Sequence, residues 1–331
     1  MSASAPEPLL RVVDLQTWYP IRAGLMRRTV GWVQAATDVS LELQAGRTLA
    51  LVGESGCGKS TVGRSILCLE RPQRGEIFFE GRDLLKQSRA GLREARRHLQ
   101  IVFQDPMASL DPRMRIGDQI AEGVRSFGIV ETEREQRIRI GEMLERVQLD
   151  PKSMDRYPHE FSGGQRQRIC IARALAVDPK LIVCDESVSA LDVSIQAQIL
   201  NLLLDLQQEL GLAYLFITHD LSVVRHLAHE VAVMYLGRIV EQGPTERLFE
   251  HPAHPYTRSL LAAIPSIDPA RRGSAPPVRG DVPSPSHPPE GCHFHPRCPE
   301  VMDRCRRERP ELYPVEQGCS RCFLSEPGRS D

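Results

Sequence analysis

Gly53-Glu54-Ser55-Gly56-Cys57-Gly58-Lys59-Ser60-Thr61 is the stretch whose reading decides the fold. A glycine, four residues, and then Gly-Lys-Ser is the P-loop spacing. The flanks agree with it. Thr48-Leu-Ala-Leu-Val52 reads as a short buried strand, and Thr61 to Leu69 reads as a helix. Glycines let such a loop turn its backbone N–H groups inward, and the helix N-terminus adds the positive end of its dipole. Lys59 would reach the β- and γ-phosphates, and the Ser60 hydroxyl would sit on Mg²⁺. A chance glycine-rich turn would have the same composition, but not a strand before it and a helix after it. The expected ligand is a nucleoside triphosphate.

Working outward, 331 residues suffice for two domains. With 41% hydrophobic and 26% charged residues the composition is that of a soluble globular protein. The net charge of -1 provides no global field to attract nucleic acid, and none is expected as a partner. No run of about 18 apolar residues is present to span a bilayer. The N-terminal Met1-Ser-Ala-Ser-Ala-Pro-Glu-Pro has neither a basic nor an apolar signal region, so a cytosolic location is expected.

Before the loop, residues 9–19 and 36–43 read as strands. Trp18 and Tyr19 end the first, and an aromatic here either stacks on a base or plugs a β-layer. After the loop, Gly75–Gly81 reads as a hairpin strand, Arg89–His98 as a basic helix and Leu99–Phe103 as a strand that ends at Gln104. Residues 116–149 have helical apolar period and suggest two amphipathic helices. Ser162-Gly163-Gly164 should cap a helix running to Val177, a second helix N-terminus suited to an anion. Leu181-Ile-Val-Cys-Asp185-Glu186 fits a strand buried on both faces, with its acids where α/β sheets bind ligands. Asp185 would hold Mg²⁺ through water, and Glu186 would polarise the attacking water as general base. A long helix from Ser194 to Leu210 and a buried strand Leu212–Thr218 follow, and the strand ends at His219, a candidate γ-phosphate contact. Residues 231–242 read as a hairpin with Gly237-Arg238 at its turn.

Beyond Gly243 the texture changes. A short helix follows His251-Pro, and then a proline-rich arm over residues 265–290. Five of the nine cysteines, Cys292, Cys298, Cys305, Cys319 and Cys322, crowd into the last 40 residues. In a reducing compartment such a group suits metal better than disulfides. Thiolates favour zinc or an iron–sulfur centre, and reduced structural thiols are the third reading.

Taken in order, these motifs resemble the ATP-binding-cassette ATPases over roughly residues 9–250. The correspondence is the P-loop, the Q-loop (Gln104), the signature (Ser162-Gly163-Gly164-Gln165), Walker B (Asp185, Glu186), the D-loop (Ser189 to Asp192) and the H-loop (His219). Phe161 stands where Leu is usual, and Ser187 where Pro is usual. The resemblance implies an α/β P-loop fold: a RecA-like core, an antiparallel β subdomain, and a helical signature subdomain at about 106–176. A small Cys/Pro-rich extension over 251–331 follows. It implies ATP and Mg²⁺, with the metal held by Ser60, Gln104 and Asp185, and catalysis by Glu186, His219 and Gln104. Tyr19 best matches the adenine-stacking aromatic, with Trp18 the alternative. Residues 53–61, including Glu54, Ser55, Gly56, Cys57 and Thr61, would line the nucleotide in cis. Ser162, Gly163, Gly164 and Gln165 would complete the site of a head-to-tail partner, with Asp192 in the D-loop.

Within that family the chain resembles the oligopeptide/dipeptide importer ATPases, on Val102–Pro112, Ser189–Gln198, His254-Pro-Tyr-Thr-Arg258 and Gly291-Cys-His-Phe-His-Pro-Arg-Cys-Pro299. The insertion between Tyr19 and Val33 looks like the second of two paired ATPase subunits. The resemblance implies a second cassette, two membrane permease subunits, an extracytoplasmic solute-binding protein, and a peripheral place on the cytoplasmic face of the inner membrane. It further implies a possible [4Fe-4S] cluster on Cys292, Cys298, Cys305 and Cys322, with Cys319 as substitute. Cargo stays open between peptides and nickel or another small solute. A soluble, non-transport cassette ATPase is the reading from another class.

Overall fold

A computed structural model describes residues 7–189, 191–264 and 280–328. In chain order the elements are β1 (Leu10–Ala23), β2 (Arg28–Leu43), β3 (Thr48–Val52), α1 (Lys59–Ile66), β4 (Arg74–Phe79), β5 (Arg82–Asp83), α2 (Arg89–His98) and β6 (Leu99–Val102). Next come α3 (Ile116–Phe127), α4 (Glu133–Arg146), α5 (Gly163–Leu175), β7 (Leu181–Asp185), α6 (Val193–Leu210) and β8 (Ala213–Thr218). The chain continues with α7 (Leu221–Leu227), β9 (Glu230–Tyr235), β10 (Arg238–Pro244), α8 (Thr245–Glu250), α9 (Pro255–Ala262), β11 (Tyr313–Val315) and β12 (Gly318–Ser320). They divide into two compact units. One holds Leu43–Thr48 and Phe79–Ile217 with the segment ending at Leu9. The other holds Leu10–Glu42, Leu49–Phe78 and the chain from Thr218 on.

In the unit that contains α2 to α6, β6, β7 and β8 run parallel, with Val102 opposite Cys184 and Asp185 opposite Ile217. All of β7 and β8 is buried, which is why these strands read as continuous apolar runs rather than alternations. The two amphipathic helices expected over 116–149 are α3 and α4. Gly128 in the left-handed region ends α3, and a Thr132–Glu135 capping box starts α4.

In the other unit, β3 lies parallel to β9, with Leu49 opposite Glu230 and Val52 opposite Val233. β9 and β10 form the expected hairpin, interrupted by a register shift between Ile239 and Glu241. The shift turns Glu241 fully into the interior, where it accepts from Arg247 (2.6 Å) and from the backbone N–H groups of Ala253 and His254 (2.8 and 2.9 Å). β12 then pairs with β10, and β11 with β12. The C-terminal strands therefore extend the sheet that carries β3. Phe294 joins the core formed by Ala50, Val52, Val233, Tyr235 and Tyr256, and Cys292 and Cys298 pack against it. β1, β2 and β4 make a second sheet in the order β2-β1-β4. The arm over residues 265–279 lies outside the described residues, as does Ala190 of the D-loop.

Candidate nucleotide site

β3 delivers the chain to Gly53 at a place too tight for any side chain. A Cβ on Gly53 would lie 2.2 Å from the Met234 carbonyl oxygen, and one on Gly58 only 1.8 Å from that of Ala35. Gly58 has φ +107° and is the N-cap of α1, with no side-chain cap. A glycine at this N-cap leaves the start of α1, where a helix favours an anion, without a capping side chain. The loop is closed by Cys57 N–H donating to Glu54 O (3.3 Å) and Gly237 N–H to Cys57 O (2.9 Å). Ser55 and Gly56 are exposed at its tip, and Ser60 and Thr61 are half-buried in the first turn of α1. The Lys59 ammonium is buried and donates to Gly53 O (2.8 Å) and Glu54 O (3.0 Å), folded back across the loop. Cys57 is buried, and desolvation pushes its thiol up.

The two aromatics of β1 separate by strand alternation. The Thr17 hydroxyl meets that of Ser65 on α1 (2.9 Å), and Tyr19 shares Thr17's face. Trp18 lies on the other face, where its indole N–H donates to the Thr37 hydroxyl (2.9 Å). His219 is exposed just after β8, at a turn in which Asp220 N–H donates to the Thr218 hydroxyl and Ser222 N–H to the Asp220 carboxylate.

In the other unit, Gln104 follows β6, and its amide donates to the Glu186 carboxylate across 3.1 Å. Asp185 ends β7 and is buried. Glu186 takes φ +47°, a left-handed conformation uncommon for a glutamate, and its N–H donates to Ile217 O (3.0 Å). Ser187, in the usual Pro position, is buried. The N–H and hydroxyl of Ser189 both donate to Glu186 O (3.2 and 2.9 Å). Asp192 is the N-cap of α6. Ser162 caps α5 by accepting from Gln165 N–H (3.4 Å), while the Gln165 side chain accepts from Ser162 N–H (3.0 Å). A Cβ on Gly164 would lie 2.5 Å from Ile195 Cγ2, so α5 and α6 meet with no room for a larger residue there. Phe161 is buried beneath the Arg156 guanidinium, 4.4 Å from the ring centroid, and fills the position usually held by leucine. Gln104 and Glu186 are thus brought into contact, while the signature residues bond to one another.

Four of the five tail thiols are neighbours. Burial and the proximity of Cys305, Cys322 and Cys298 push Cys292 up to about 12; Cys298 rises to about 11 for the same reasons. Cys292 N–H donates to Cys305 O (2.8 Å), which ties the segments carrying these two thiols together. Cys319 lies elsewhere, on β12 opposite Gln242, near Arg321, Glu241 and Arg247. Among the described residues no three His, Cys, Asp or Glu side chains stand close enough to hold a metal ion. Cys305 and Cys322 are buried, and Cys292 and Cys298 are half-buried.

Two residues missed by sequence reasoning are tied to the loop. Arg297 grips the Glu54 carboxylate with both terminal nitrogens (2.7 and 2.9 Å), and Tyr256 Oη accepts from Glu54 N–H (3.0 Å). Both residues stand in segments that the resemblance picked out, yet their partner lies more than 200 positions away.

Comparison with known proteins now bears directly on this geometry. A family model described as "ABC transporter" matches residues 36–189, and one described as "Oligopeptide/dipeptide transporter, C-terminal region" matches 240–305. The probable peptide ABC transporter ATP-binding protein y4tS of Sinorhizobium fredii is 53% identical, over 94% of this chain and 88% of its own. The chain belongs to the ABC transporter family. As an ATP-binding subunit of this family, it is an ATPase whose activity is coupled to transport. The di/tripeptide transport ATP-binding protein DppF of Pseudomonas aeruginosa is 49% identical, over 97% of this chain and 98% of that protein. Among solved structures, the dimeric post-hydrolysis state of the cassette MJ0796 with ADP and Pi matches with a TM-score of 0.63. It is 27% identical and covers 71% of this chain and 98% of that one. No helix among the described residues is long and apolar enough to cross a membrane.

Proposed function

We propose that this cassette powers import of di- and oligopeptides through a membrane complex. A second cassette would pair with it head to tail, with two permease subunits above and an extracytoplasmic binding protein feeding them. The chain would sit on the cytoplasmic face of the inner membrane. The relationship to peptide and di/tripeptide transport ATP-binding proteins over nearly the whole chain supports this cargo. Nickel or another small solute would use the same machinery, because the ATPase does not touch cargo.

The residues described fit ATP and Mg²⁺: a helix that starts on a glycine, a loop with no room for side chains at Gly53 and Gly58, and a buried lysine at its base. ATP would supply the phosphoanhydride bond to be hydrolysed. Lys59 would give up its two loop carbonyls for phosphate oxygens, and Ser60, Gln104 and Asp185 would offer oxygens to Mg²⁺. Tyr19 would stack on the base. Glu186, oriented by Gln104, would take a proton from water, and His219 would hold a phosphate oxygen. Ser162, Gly163, Gly164 and Gln165 would serve the partner's nucleotide, with Asp192 alongside. Cys292, Cys298, Cys305 and Cys322 would hold a [4Fe-4S] cluster, with zinc the alternative occupant; iron and sulfide analysis of anaerobically purified protein separates the two.

The experiment is affinity purification from native membranes in mild detergent, with wild type and Glu186→Gln compared. Two permeases and a second cassette should copurify, ATP hydrolysis should vanish in the variant, and ATP binding should remain. A soluble homodimer, or wild-type turnover by the variant, would overturn the proposal.

A further inference from the structure

Every polar group of Glu54 is used to hold the phosphate loop. Its carbonyl accepts from Lys59 Nζ (3.0 Å) and Cys57 N–H (3.3 Å). Its N–H is taken by Tyr256 on α9, and its carboxylate by both terminal nitrogens of Arg297. A P-loop residue that spends its backbone N–H on a tyrosine hydroxyl offers no such donor to a phosphate.

The Arg297 side chain is only 6% exposed and that of Glu54 27%, so the fork is shielded from water and from salt. Arg297 is itself fixed. It lies over the Tyr235 ring, 5.8 Å from the centroid, and Tyr235 packs edge-on to Tyr256 (4.7 Å) and Phe294 (5.2 Å). Phe294 and Arg297 belong to one short turn between Cys292 and Cys298, in which Arg297 N–H donates to Phe294 O (3.0 Å). The Arg297 guanidinium is raised, first by its bond to Glu54.

We propose that Arg297, carried by the C-terminal extension, is a positioning residue for the phosphate loop. With Tyr256 it holds Glu54 in the one placement that keeps the loop shaped for ATP. The extension is then a working part of the nucleotide site rather than an appended tail. Loss of the fork frees the Glu54 end of the loop, and ATP must restore its shape on binding. Affinity falls, while the chemistry at Glu186 is unchanged once ATP is bound.

This inference rests on the loop's binding ATP, and the test separates the two. Mg²⁺–ATP is titrated calorimetrically into the full-length chain as wild type, Arg297→Gln, Arg297→Lys, Tyr256→Phe and Arg304→Gln. Kd should rise about tenfold in Arg297→Gln, equivalent to about 1.4 kcal/mol. It should rise less in Arg297→Lys, which keeps the charge but not the fork. Tyr256→Phe should also weaken binding, and it decides the matter if Arg297→Gln does not fold. In the assembled complex, KM for ATP should rise with kcat little changed. Arg304→Gln breaks pairs with Glu308 and Glu326 in the same extension, away from the loop, and should match wild type. The inference fails if folded Arg297→Gln and Tyr256→Phe bind within twofold of wild type. It also fails if Arg304→Gln loses as much as Arg297→Gln, since general loosening of the extension would then be the cause. Absence of binding by wild type would instead sink the proposed function.

Discussion

Gly58→Ala isolates what the loop's backbone geometry contributes. At φ +107° an L side chain is strained whatever the space around it, at a cost of about 1–3 kcal/mol. The added Cβ would also fall 1.8 Å from Ala35 O and 2.9 Å from its carbonyl carbon, whereas real Cβ contacts under 3.0 Å are essentially not found. The obstacle is backbone in β2 and cannot rotate away. The neighbouring chain is also anchored, through Thr37 N–H to Gly237 O (2.7 Å) and Gly237 N–H to Cys57 O (2.9 Å). The loop must therefore yield by more than 1 Å at the residue that starts α1. Displacements of about 1 Å in a positioned site can cost on the order of 100-fold. Titration with Mg²⁺–ATP should show affinity lowered about 100-fold, or about 2.7 kcal/mol. Gly211→Ala is the control. It too has a positive φ (+65°), at the end of α6, but a Cβ there meets nothing within 4 Å. It should lower the melting temperature slightly and leave ATP affinity unchanged. If Gly58→Ala bound ATP within fivefold of wild type while remaining folded, the contact with Ala35 would not govern the loop, and the reasoning would be wrong.

Two further outcomes are expected. If the proposed in-trans role holds, Ser162→Arg should spare ATP binding by this subunit, while hydrolysis at the partner's site falls by at least about tenfold. Site-resolved nucleotide trapping in the complex would read this, and loss of the subunit's own binding alone would reverse the in-trans assignment. The fully buried His254 has its pKa lowered to about 3, first by desolvation, and its Nδ1 accepts from Tyr256 N–H (3.0 Å). The folded state therefore prefers neutral histidine, and the unfolded chain binds the extra proton below about pH 6.5. The stability from this group is full above that pH and is lost as pH falls toward 3, at about 1.4 kcal/mol per pH unit. His254→Asn keeps a helix-capping side chain without the titration. Its stability should vary less with pH between 6.5 and 4 in denaturant melts, and an unchanged slope would count against the assignment.

Much of the site was legible because its rules are local. The P-loop spacing, the Ser162 cap with Gln165 three residues on, the apolar run ending in Asp185-Glu186, and the Gly237 turn each depend on residues within a few positions of one another. Such patterns specify backbone conformation directly, through missing side chains, capped N–H groups and strand burial. The β9–β10 turn came out as read, and so did both helices over 116–149. No local signal pointed to helix α8, because only six residues form it and its support is Glu241, buried by a register shift that no periodicity announces.

By itself the sequence determined the order of nucleotide motifs, the strands and helices that carry them, and hence the family. Tertiary structure alone decided which distant residues hold those motifs in shape. Tyr19 and Trp18 are adjacent in the chain, and only the Thr17–Ser65 and Trp18–Thr37 contacts show which face each takes. Cys322 and its substitute Cys319 stand three residues apart in the sequence, but the pairing of β12 with β10 carries Cys319 away from the other thiols. Arg297 meets Glu54 across 243 residues because Phe294 packs into the core beneath β3 and β9. Contacts of that length are fixed by the burial of a shared core, and no local pattern encodes them.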